Sequence, residues 1–137
     1  MSAALKKNGA SGHRLTLTSL VVLGFLAMPR PAIAEMYDAE YQGCSGGSTV
    51  AIVQCLTSKT RAWDARLNSG FKAALQRVDN QQREPLRQAQ RLWIQYRDAN
   101  CRFYGMREGS LRETEAAECL RSMTADRSRE LESLGQS

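Results

Sequence analysis

Apolar residues recur along this chain with a helical rhythm. Val53, Leu56, Trp63, Leu67, Phe71, Ala74 and Val78 follow a repeat of about 3.6 residues, which predicts a long helix from Thr49 to near Asp79. The polar run Asp79-Asn80-Gln81-Gln82 reads as a turn, and Pro85 suits the first turn of a second helix. Leu86, Ala89, Trp93, Tyr96, Asn100 and Phe103 mark one face of that helix, which should stop around Gly105. Ser110-Leu111-Arg112-Glu113 has the S-x-x-E form of a capping box and opens a third helix. Its stripe runs through Ala117, Leu120, Met123, Arg127, Leu131 and Leu134, and Gly135 ends it. Residues 35–48, polar and glycine-rich, read as a loop.

No segment alternates as a strand does, so the expected fold is all-α: a long antiparallel hairpin with a third helix packed on it. A turn centred near residues 80–82 sets Asp64 opposite Arg97 or Asp98, with Trp63 facing Trp93, Tyr96 and Asn100. An Asp64–Arg97 ion pair joined by Asn68 is the expected structural centre, because charges half-buried beside aromatics tend to pair.

The amino end changes the reading of charge and compartment. Lys6, Lys7 and Arg14 precede an apolar stretch from Leu15 to Met28, and Ala32-Ile33-Ala34 follows two prolines. That order of parts is a signal peptide cleaved after Ala34, leaving residues 35–137 as one domain. A membrane span needs ~20 apolar residues, more than this stretch supplies. The whole chain has 19 basic and 14 acidic residues, net +5, and the leader takes four basic residues and no acid with it. The remainder is nearly neutral, which removes the support for nucleic-acid binding. Some asymmetry persists: residues 35–107 carry eleven basic and seven acidic groups, residues 108–137 four and seven.

Cys44, Cys55, Cys101 and Cys119 all follow the leader, at spacings of 11, 46 and 18. An even count behind an export signal reads as two disulfides, and zinc sites usually show two close cysteine pairs instead. The register gives Cys44–Cys55, tying the amino-terminal loop to the first helix, and Cys101–Cys119, tying the second to the third. The one histidine, His13, lies in the leader, so the exported domain has no imidazole for acid–base or nucleophilic chemistry. Asp64 and Asp98 are the remaining catalytic candidates, but Arg61, Arg66 and Arg97 around them would hold both ionised, unsuited to a general acid. A non-catalytic binding protein without a cofactor is expected. Arg83, Arg87 and Arg91 form a basic stripe, read as a solvated face or as a contact for an anionic envelope component.

The segment LRQAQRLWIQYRDANC, Leu86 to Cys101, is similar to the signature of the LprI-like lysozyme-inhibitor family. Cys55, then Asp64, Leu67, Asn68 and Phe71, resembles its upstream pattern; Gly109-Ser110, Cys119, Thr124, Arg127 and Leu131 resembles its closing segment. The resemblance implies a secreted helical domain and inhibition of lysozyme by direct protein contact. Cys44 follows Glu40-Tyr41-Gln42-Gly43 and not an apolar lipobox, so a periplasmic or secreted form without a lipid anchor is expected. The expected contact region is the acidic third helix and the loop before it, with Arg107, Glu108, Ser110, Glu113, Glu115 and Glu118. The other reading is an envelope binding or structural module with a different ligand.

Overall fold

The computed structural model describes residues 36–136; the leader and its cleavage point lie outside them. Four helices follow in order: α1 (Ala39–Gln42), α2 (Thr49–Arg77), α3 (Asn80–Gly105) and α4 (Arg112–Leu134). Each long helix starts or ends where the local chemistry demands. Ser48 caps α2 by accepting from the Ala51 amide. Asp79 and Gln82 form a reciprocal capping box at the start of α3, satisfying two donors that a helix end leaves open. Arg83 donates from Nε to the Leu75 carbonyl at 3.1 Å, closing the other side of the same turn. The loop expected over residues 35–48 contains one short helical turn, α1, capped by Asp38.

The all-α class stands, and both disulfides form as the register required, Cys44–Cys55 and Cys101–Cys119, with Cα atoms 5.6 and 5.4 Å apart. The order of the layers is different. α4 packs along both α2 and α3, which scarcely touch each other beyond their shared turn. The third long helix is therefore the centre of the domain and not an addition to a closed hairpin. It buries ten residues, among them Thr114, Glu118, Arg121, Ser122, Thr124 and Ser128, so it carries no single apolar stripe. Small side chains on two faces let a neighbour approach from each side. Gly70 of α2 marks a close approach to α4: a Cβ there would stand 3.2 Å from the Glu132 backbone nitrogen.

Polar pairs do much of the joining. Arg121, with no exposed surface, is held by Glu118 at 2.6 Å, Asp38 at 2.9 Å and Glu40 at 2.6 Å. This cluster fastens α1 to α4, and the Tyr37 amide adds a bond to Glu118. Burial alone would lower the arginine's pKa, but the bonds and charges of Glu118, Glu40 and Asp38 outweigh it and raise it above the ordinary value. A raised folded-state pKa adds stability that is lost only as pH climbs through the arginine range, so the cluster keeps its cation at every physiological pH. On the other side Arg127 donates to Gln90, joining α4 to α3. The same helix pair is tied by Cys101–Cys119, and Asn100 lies against the sulfurs of Cys119 and Met123.

Candidate functional site

Two surfaces combine exposure with unusual chemistry: a trough between α2 and α3, and the loop from α3 to α4. The trough exists because α2 and α3 splay over α4. Its turn-ward part, about 400 Å³, is walled by Asp64, Leu67, Asn68 and Phe71 of α2 and by Arg87, Gln90, Arg91, Trp93, Ile94 and Arg97 of α3. A second part of about 500 Å³ continues along Val53, Thr57, Thr60 and Arg61, with Ala117 and Leu120 of α4 contributing. Asp64 and Arg97 border both parts.

The expected Asp64–Arg97 ion pair does not form. Arg97 turns to its neighbour Asp98 at 2.8 Å and stacks on the Trp93 ring, and the exposed Asp64 accepts from Asn68 at 3.1 Å. The splay of α2 and α3 keeps the two walls apart, so each charge is satisfied on its own helix. Trp63 does not face Trp93 either. Its ring sits between the guanidinium groups of Arg66 and Arg129, at 4.2 and 4.5 Å, and its Nε1 donates to Glu40. Trp63 thus braces α1, α2 and α4, while Trp93 lines the trough. Tyr96 points away from both and is 62% exposed. Asp64→Ala should consequently cost no more than about 0.5 kcal/mol, the usual range for a surface change; a thermal melt lowered by several degrees would show a structural partner after all.

The α3–α4 loop spans residues 106–111. Met106, 77% exposed, and Leu111, 63% exposed, stand at its two ends. Cys101–Cys119 lies just beneath, and Arg107 reaches across to both Glu115 oxygens at 3.1 and 3.2 Å. Gly109 has a φ of +104°, a conformation glycine adopts without steric cost. The capping box expected at Ser110 and Glu113 is absent. Leu111 occupies the cap position with no side-chain bond, and the Arg107–Glu115 pair closes the loop instead. Glu108, Ser110 and Glu113 are exposed. Glu118, expected with them, is wholly buried against Arg121. Of the basic stripe, Arg83 closes the α2–α3 turn, whereas Arg87 and Arg91 bridge to Glu84 on the surface.

Among the described residues no helix is long and apolar enough to cross a membrane. The model of the family described as lysozyme inhibitor LprI matches residues 42–131, from the end of α1 through most of α4. An uncharacterized protein of Rhizobium meliloti is 35% identical over 98 residues, covering 61% of this chain and 70% of that protein. No solved structure matches. The chain belongs to the LprI lysozyme-inhibitor family.

Proposed function

From that family membership we propose that the protein is exported by its amino-terminal leader, without a lipid anchor, and blocks lysozyme by direct, non-catalytic contact. The observation that carries the contact face is the α3–α4 loop. It is edged by exposed Met106 and Leu111 and braced by a disulfide and an ion pair. Preorganised loops lose little entropy on binding, and two exposed apolar side chains flanking polar ones suit insertion into an enzyme's cleft. Arg107, Glu108, Ser110, Glu113 and Glu115 are the proposed contact residues, with Glu115 acting through Arg107. Animal-type lysozymes are basic, so exposed Glu108 and Glu113 steer the encounter.

The test is clearing of a cell-wall suspension by lysozyme, with and without the purified protein. Protection at near-equimolar protein is expected, and no protection at large molar excess would remove this reading. Glu108→Lys with Glu113→Lys should slow association about tenfold at low salt. That difference should shrink as the Debye length falls to ~8 Å at physiological ionic strength.

The trough supports a second reading, an envelope module that binds a different, anionic ligand. Arg61, Arg87, Arg91 and Arg97 stand on its walls around apolar side chains. Clearing that is unaffected by the protein, together with loss of cell-wall binding in Arg61→Glu, would favour it.

A further inference from the structure

α3 carries two apolar rows, and only one of them faces the domain. The inner row includes Leu86, Trp93 and Asn100, each at least half-buried. The outer row is Ala89, Leu92, Tyr96, Ala99 and Phe103, all exposed, with the three large side chains at 56%, 62% and 65%. Its steps of three and four residues are the spacing of a coiled-coil seam. Large apolar side chains gathered on one rigid exposed helix mark an association surface.

We propose that this row is a self-association surface, on which a second copy of the chain lays its own α3 in antiparallel orientation about a two-fold axis near Tyr96. Size complementarity selects the arrangement. The antiparallel pairing sets the small Ala89 of one copy beside the Phe103 of the other, and Leu92 beside Ala99. A parallel pairing would oppose Phe103 to Phe103 and Ala99 to Ala99, crowding one layer and leaving a void in the next. Charge agrees. A residue near a two-fold axis meets its own copy, and Gln95 and the row itself carry no charge; the flanking Arg102 lies about 9 Å along the helix from the axis and so does not meet its own copy. From Ala89 to Phe103 the row is about 21 Å long, which places the contact at the small end of specific interfaces. Its dissociation constant is therefore of micromolar order, about 1–100 μM. The dimer would leave the two α3–α4 loops at opposite ends. It does not depend on what those loops bind.

Sedimentation equilibrium of the purified protein from micromolar to about 0.1 mM tests this, since a self-associating chain changes mass with concentration. The expected weight-average mass rises with concentration to between about 1.5 and 2 times the monomer's at the upper end. Tyr96→Glu and Leu92→Glu should each raise the dissociation constant by ~100-fold or more, with helical circular dichroism unchanged. Val50→Glu, an equally exposed apolar position on α2, should leave it unaltered. A monomer at every concentration overturns the proposal, as does a dimer that survives both charged substitutions.

Discussion

Arg121→Ala will destabilise this protein more than any other single change, by roughly 3–5 kcal/mol. Among the described residues the guanidinium is the one cation that meets all three of Asp38, Glu40 and Glu118, and Lys59 approaches Glu40 alone, at 3.8 Å. Removal of the guanidinium leaves Glu118, itself without exposed surface, as an uncompensated buried charge. Glu118→Ala should cost less, about 1.5–3 kcal/mol, because Arg121 keeps Asp38 and Glu40 and loses only its two bonds to Glu118. Domains of this size hold only about 5–15 kcal/mol in total, so the melting temperature should fall by at least about 12 °C. Arg121→Lys should rescue little, because an ammonium cannot reproduce the planar fork that meets Glu118 through two nitrogens. Glu40→Ala provides the contrast. Glu40 is partly exposed, and Arg121 keeps two acidic partners without it, so a loss of about 1–2 kcal/mol is expected. Thermal unfolding followed by circular dichroism ranks the four variants; equal melts for Arg121→Ala and Glu40→Ala would mean that the cluster is not the clasp described above.

Removal of Cys101–Cys119 has the second largest effect, and the only one expected to reach stability and binding together. A native disulfide in a small secreted domain contributes about 2–5 kcal/mol. Here it also fixes the last turn of α3 against α4 immediately below the 106–111 loop. Replacing both cysteines by serine should lower the melting temperature and weaken lysozyme inhibition more than about tenfold, since the loop must then be ordered on binding. The same change at Cys44 and Cys55 should lower stability while leaving inhibition of the folded fraction intact, because that bridge ties α2 to the segment after α1. Inhibition titrated well below each variant's melting temperature separates the two bridges. An equal loss from both would place the contact elsewhere.

The helices and the disulfides were legible because their signals are local. The stops at Gly105 and Gly135 fell where the sequence put them, whereas Asn80, Gln81 and Gln82, read as a turn, already belong to α3 behind the Asp79 cap, and Pro85 lies past its first turn. Cysteine pairing followed from chain distance to the turns. The layer order was not legible. Periodicity marks apolar stripes, and α4, the most buried helix, is buried largely through Ser, Thr and one Glu–Arg pair. Such residues read as a solvated face unless their partners are known. The partners, Asp38 and Glu40, lie about 80 positions away in a segment that reads as a loop. On α3 the same ambiguity worked in reverse. Trp93 and Tyr96 sit three residues apart and read as one stripe, but the helix turns Trp93 into the trough and Tyr96 to solvent. The Asp64–Arg97 register was close, since both border one trough, and the pair failed only because α4 holds the two walls apart. The brace of the α3–α4 loop, Arg107–Glu115, spans eight residues and has no sequence signature.

The most direct test of the account is amide hydrogen exchange of the protein with and without excess lysozyme, because it reads the contact face whatever its strength. Slowed exchange at residues 106–112, with the trough walls at 64–71 and 87–97 unchanged, is the predicted result. Protection confined to the trough, or no protection in any peptide, would contradict it.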